Sequence, residues 1–123
     1  MPTILMMDDD KDFSSLVQAN FSGQGYNVVL AHNGREGLAK AAAVKPDIIF
    51  LDIMMPDMNG IEVLRELQAA DETSDIPVII MSGKYVDRNM TELFAQERNF
   101  KDFIPKPVSF ANLQRRVKEL LGK

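Results

Sequence analysis

Asp47-Ile48-Ile49-Phe50-Leu51-Asp52 is the stretch that decides the fold. Its apolar residues are bracketed by two carboxylates, and Ile53-Met54-Met55-Pro56-Asp57-Met58-Asn59-Gly60 then turns away. An apolar run without polar alternation, closed by Pro, Asn and Gly, reads as a strand buried on both faces. Open α/β sheets built from such strands bind and react with ligands at the strands' carboxyl ends. Asp52, standing at that end, is therefore the first candidate for a reactive group.

Outward from this strand the same unit recurs. Ile4-Leu5-Met6-Met7 is a buried strand that stops at Asp8-Asp9-Asp10, and Phe13, Leu16, Val17 and Phe21 follow at helical spacing until Gly23 and Gly25. Tyr26 to Ala31 reads as the second strand. Asn33 is placed to cap a helix with Leu38, Ala41 and Ala42 inward, closed before Pro46. Beyond the Pro56–Gly60 turn, Val63, Leu64 and Leu67 line a third helix. Ile76 to Met81 is a fourth strand ending at Ser82-Gly83, and Met90, Leu93 and Phe94 mark a helix from about Val86 to Arg98. Phe100 to Ile104 is a short fifth strand leading into Pro105-Lys106-Pro107. Ser109 caps a last helix carrying Leu113, Val117, Leu120 and Leu121 inward. Five strand–helix units predict an α/β fold, a single doubly wound (βα)5 domain over residues 1–123. Right-handed crossovers favour a parallel five-stranded sheet of order 2-1-3-4-5, flavodoxin-like in topology.

Composition narrows the function. A length of 123 residues suits one domain with its own core. The absence of cysteine excludes disulfides, thiolate catalysis and a Cys-ligated zinc. No apolar run approaches the roughly 18 residues of a membrane span, and the amino terminus runs straight into acids, so neither a span nor a signal peptide is expected. The expected location is the cytoplasm. A net charge of −4 argues against direct contact with nucleic acid.

The unusual polar residues all fall just past strand ends: Asp8 and Asp9 after the first, Asp52 after the third, Ser82 after the fourth, Lys106 after the fifth. In the order 2-1-3-4-5 the first and third strands are neighbours, so three carboxylates converge. Two carboxylates about 5 Å apart repel by roughly 3 kcal/mol at an effective dielectric near 20, and three require a cation among them or a proton on one. All-oxygen ligation with few protein ligands suits Mg²⁺. Lys106 adds a positive charge and Ser82 a hydroxyl donor. A carboxylate nucleophile, a metal and two donors around one point suit a phosphoryl group.

With these residues in this order, the chain resembles the receiver domains of two-component response regulators over essentially its full length. The resemblance implies that Asp8 and Asp9 bind Mg²⁺, with the backbone carbonyl of Met54 completing the shell. It makes Asp52 the phosphoacceptor, Ser82 the switch hydroxyl and Lys106 the phosphate-contacting lysine, with a cis Lys106–Pro107 bond aiming the lysine inward. A sensor histidine kinase or phosphotransfer protein would supply the phosphoryl group. On phosphorylation Ser82 would move to a phosphoryl oxygen and Phe103 would turn into the space vacated, altering the surface of the fourth helix, fifth strand and fifth helix. That surface would signal to an output domain or downstream effector, and a phosphorylation-dependent dimer is allowed for. Such a protein is a phosphoacceptor switch rather than an enzyme.

Some positions depart from the family's pattern. Phe103 stands where tyrosine is common and, lacking a polar tip, should favour the inward rotamer even without phosphate. Asn99 stands where glycine is frequent, and asparagine tolerates the left-handed cap conformation. Met54 and Lys84 flank the site and predict a long-lived phosphoaspartate, and Gly83 leaves room for a phosphodonor. His32 reads as a strand-end surface residue, Arg115, Arg116 and Lys118 as a solvated helix face, and the methionines as packing. The acids at positions 8–10 taken alone would suit a mere helix start. The alternative function is a receiver-like adaptor working without phosphorylation, but degenerate receivers lose the acids or the lysine, and both are present. A phosphatase acting on external substrates commonly has a second acid two residues after the nucleophile, where Met54 stands. A nucleotide carrier would need a Gly-rich loop after the first strand.

Overall fold

The structure, a computed structural model, describes residues 1–53, 55–83 and 88–122. Among the described residues five strands, β1 (Thr3–Met7), β2 (Asn27–Ala31), β3 (Ile48–Asp52), β4 (Val78–Ser82) and β5 (Phe100–Pro105), alternate with five helices. The helices are α1 (Lys11–Ser22), α2 (Gly34–Val44), α3 (Gly60–Ala69), α4 (Arg88–Ala95) and α5 (Phe110–Leu121). All strand pairs are parallel and the sheet order is β2-β1-β3-β4-β5, the topology expected from the sequence.

Each face of the sheet has its own core, and successive strand residues alternate between them. Leu5, Met7, Ile49, Leu51, Val78 and Ile80 face α2, α3 and α4, meeting Ala41, Val63, Leu64, Leu67 and Phe94. Ile4, Met6, Ile48, Phe50, Ile79 and Met81 face α1 and α5, meeting Val17, Phe21, Leu113 and Val117. This explains why β1, β3 and β4 carry unbroken apolar runs: both faces of each are covered. On the second face Phe21 meets Tyr26 and Phe50 edge-on, each at 5.4 Å between ring centroids.

Helix ends follow local chemistry. Asp10, Asn33, Asn59 and Ser109 cap α1, α2, α3 and α5 by accepting backbone N–H bonds from Phe13, Glu36, Glu62 and Asn112. Lys45, at φ 52°, closes α2 immediately before Pro46.

Several expectations need correction. Leu16 is 59% exposed, because the buried stripe of α1 is Ser14, Val17 and Phe21 and Leu16 lies about 100° away from it. Ala42 is exposed as well, since the inner stripe of α2 is Gly34, Gly37 and Ala41. Asn99 does not take a left-handed conformation. It is buried, and its Nδ2 donates to the Leu64 carbonyl at 3.2 Å, tying α3 to the start of β5. The glycines expected to end α1 do so, Gly23 as its cap at helical angles and Gly25 in the left-handed turn at φ 92°. The expected start of α4 near Val86, the side chain of Met90, Lys84 and Met54 lie outside the described residues.

Candidate functional site

The carboxyl ends of β1 and β3 deliver the acids side by side. Met7 pairs with Leu51, so Asp8 and Asp52 leave adjacent strands at the same level. Asp8 is fully buried and Asp52 is 8% exposed, while Asp9 is exposed at the rim. One carboxylate oxygen from each of Asp8, Asp9 and Asp52 lies within 4.8 Å of the other two. The three acids singled out in the sequence are thus together.

Asp8 is held from several sides. Its backbone N–H donates to the Ala31 carbonyl at 3.0 Å. Its Oδ1 accepts the Asp10 backbone N–H at 2.9 Å. Its carbonyl accepts the Ser14 hydroxyl at 3.5 Å and lies 3.2 Å from His32 Nδ1. His32 is therefore half-buried behind the site rather than a plain surface residue. Within the acidic start itself the roles divide: Asp10 caps α1, and Asp8 and Asp9 face Asp52.

Lys106 reaches in from the end of β5. Its Nζ donates to Asp8 Oδ2 at 2.8 Å and lies 3.7 Å from Asp52 Oδ2. The Lys106–Pro107 peptide bond is cis, and the Lys106 N–H donates to the Ser82 carbonyl at 2.9 Å. Burial alone would lower the lysine's pKa. The hydrogen bond to Asp8 and the charges of Asp8, Asp52 and Asp10 outweigh it and hold the ammonium above its ordinary value. Ser82 ends β4, buried, one strand from Asp52. A Cβ placed on Gly83 would lie 3.8 Å from Lys106 Cβ and Cδ, ordinary contact, so space beside the lysine is ample for an alanine.

Phe103 is half-buried on β5, beside Ile80, and packs against the core of the α2–α3–α4 face. A groove of about 400 Å³ runs along β5 and α5, lined by Asp102, Ile104, Asn112, Arg115 and Arg116 among others. Arg116 is not merely solvated: it donates to Asp102 at 2.9 Å and to the Lys101 carbonyl at 3.3 Å.

The donor set fits a hard divalent ion. Three carboxylates against one ammonium leave two negative charges, and oxygen-only ligands of that charge suit Mg²⁺ better than a softer metal.

Sequence reasoning missed Asp57. Its carboxylate accepts the backbone N–H groups of Gly34 at 2.8 Å and Arg35 at 3.0 Å, capping α2 from the loop after β3. Those two bonds hold its pKa below the ordinary value, as the His32 N–H does for Glu36. No local spacing links positions 57 and 34, so the cap becomes visible only once β1 and β3 are paired.

Comparison with known proteins agrees with this geometry. Residues 4–118 match the family model of the response regulator receiver domain. The chain is 34% identical over 122 residues to the protein PilH of Pseudomonas aeruginosa, covering 99% of each. It is 35% identical over 120 residues to the alkaline phosphatase synthesis transcriptional regulatory protein PhoP of Bacillus subtilis, covering 98% of this chain. It spans 48% of PhoP and 51% of the response regulator MprA of Mycobacterium avium, about half the length of those relatives. The receiver domain of the Francisella response regulator 1452 superposes with a TM-score of 0.87 at 30% identity, covering 99% of this chain and 98% of that one. The Vibrio cholerae chemotaxis protein CheY4, at 24% identity and a TM-score of 0.90 over 98% of this chain and 99% of that one, shares the fold. The chain belongs to the response regulator receiver domain family of two-component systems.

Proposed function

We propose that residues 1–123 act as a cytoplasmic phosphoacceptor switch, in which Asp52 takes a phosphoryl group from the phosphohistidine of a sensor kinase or phosphotransfer protein. The observation that carries this reading is the meeting of Asp8, Asp9 and Asp52 within 4.8 Å, with Lys106 Nζ against two of them. The Asp52 carboxylate attacks phosphorus, the histidine N–P bond breaks, and an acyl phosphate forms on Asp52. Asp8 and Asp9, with Asp52 and the Met54 carbonyl, are the residues to hold Mg²⁺. When bound, the ion neutralises the carboxylates and the charge developing on the phosphoryl oxygens.

The chain's own groups do the rest. Lys106 is drawn between Asp8 and Asp52, a position from which its ammonium meets a phosphoryl oxygen. Ser82, buried at the end of the adjacent strand, supplies a hydroxyl to a second oxygen. That movement leaves room beside β4 for Phe103, whose ring is already half-buried against the core, so the inward rotamer costs little to reach. The readout is the α4–β5–α5 face and its groove, presented to an output domain, an effector or a second phosphorylated copy.

The test adds acetyl phosphate, or beryllofluoride as a phosphoryl mimic, with and without Mg²⁺. Modification that requires Mg²⁺ and disappears in Asp52→Asn is the expected outcome. Modification that survives the substitution moves the site, and none at all leaves the phosphorylation-independent adaptor.

A further inference from the structure

The segment that delivers Asp8 and Asp9 also delivers an aromatic ring to the same lysine. Asp10 caps α1 by accepting the Phe13 N–H at 3.0 Å, so the bond that starts the helix also fixes the backbone of Phe13. The ring of Phe13 then lies with its centroid 4.3 Å from Lys106 Nζ. Phe13 is half-buried and packs on the α1–α5 core, which limits the positions its ring can take. The ammonium therefore meets Asp8 at 2.8 Å, Asp52 at 3.7 Å and an aromatic face, and the lysine side chain is only 19% exposed.

We propose that Phe13 is a positioning residue for Lys106, its ring holding the ammonium against Asp8 and Asp52 and out of bulk water. A lysine has four rotatable side-chain bonds and a strongly hydrated head, so two carboxylates alone do not confine it. An aromatic face removes water from one side of the ammonium while still attracting it, which an aliphatic side chain of similar volume does not. Were Phe13 only packing at the edge of the core, leucine would serve as well. The consequence for phosphoryl transfer rests on the receiver reading above; the placement of the lysine does not.

Two measurements separate these. In the proton–carbon NMR spectrum of the unmodified protein, the Lys106 Hε signals are expected upfield of the other lysines through the ring current of Phe13. The shift is lost in Phe13→Leu and retained in Phe13→Tyr. At saturating Mg²⁺, phosphorylation of Phe13→Leu by acetyl phosphate is expected to slow about three- to tenfold, with Phe13→Tyr restoring it and Mg²⁺ affinity unchanged. Unshifted Lys106 signals in the unmodified protein overturn the proposal without any variant having to fold. So does a Phe13→Leu protein that is phosphorylated at the unmodified rate. A protein that shows the ring-current shift but never accepts phosphate upholds the placement and overturns the receiver reading.

Discussion

β3 and β5 are both strands of one parallel sheet, yet they are buried to different degrees. Every residue of β3 from Ile48 to Asp52 is buried, with neighbours β1 and β4 on either side. β5 is an edge strand: none of its six residues is fully buried, and its pairing to β4 slips between Val78 and Ile79, leaving Lys101 as an extra residue. The strand bearing the acid expected to react is thus, with β4, among the most constrained, and the strand bearing Phe103 is among the least. On the proposed function, a carboxylate that meets a metal and a phosphorus in one geometry gains from a rigid base. On the same proposal, a surface that changes with modification gains from an edge whose packing is incomplete.

The largest expected effect sets the two strands directly against each other. Phe50→Ala, on β3, should cost about 3–5 kcal/mol in urea unfolding, because the ring is fully buried and meets Phe21 edge-on. Phe103→Ala, on β5, should cost roughly 1–2 kcal/mol, as part of its surface is already in water. Equal losses would break the contrast. A smaller effect sharpens it from the chemical side. Asp9→Asn removes one of three acids within 4.8 Å, so the metal-free protein should gain about 1 kcal/mol while its Mg²⁺ affinity falls. A metal-free loss of stability would show that the acids do not strain the fold.

The same contrast sorts what could be read from the sequence. β3 was legible because full burial on both faces leaves an unbroken apolar run, and Asp52 stood out at its end. Asp8 and Asp9 were legible as the abrupt end of another such run. The convergence of the acids followed from strand order alone, since register is set by the same apolar pattern. Helix faces are less legible: apolar character alone puts Leu16 and Ala42 inward, because it cannot separate two stripes about 100° apart on a short helix. Asn99 stays ambiguous in the sequence because a residue type that tolerates a left-handed cap is equally suited to a buried hydrogen bond, and only the neighbour, the Leu64 carbonyl, decides. The ring of Phe13 over Lys106 joins α1 to the end of β5, a contact that no periodicity reports.

The smallest effect concerns the loop that leaves β3. Asp57 is a surface acid by its exposure, yet its two oxygens take the Gly34 and Arg35 N–H groups while Asn33 takes that of Glu36. The loop lies close enough to the helix that a Cβ on Gly34 would come within 2.8 Å of Met58 Cβ, so residue 34 is held to glycine by the same approach. Hydrogen bonds from Arg35 and Gly34, against a smaller desolvation effect, depress the folded pKa of Asp57 below its ordinary 3.8. A depressed carboxylate contributes stability in full above the unfolded value and loses it as pH falls through the folded value. Asp57→Asn, which keeps one acceptor and no charge, should therefore melt slightly below the unmodified protein at neutral pH. The gap should stay constant down to about pH 4 and close below it. Glu36, depressed as well, titrates in the same region but is common to both proteins and cancels from the difference. Melting curves for the pair across that range decide the matter: coincident curves at every pH would make Asp57 an idle surface acid, and a gap that widens on acidification would reverse the sign of its role.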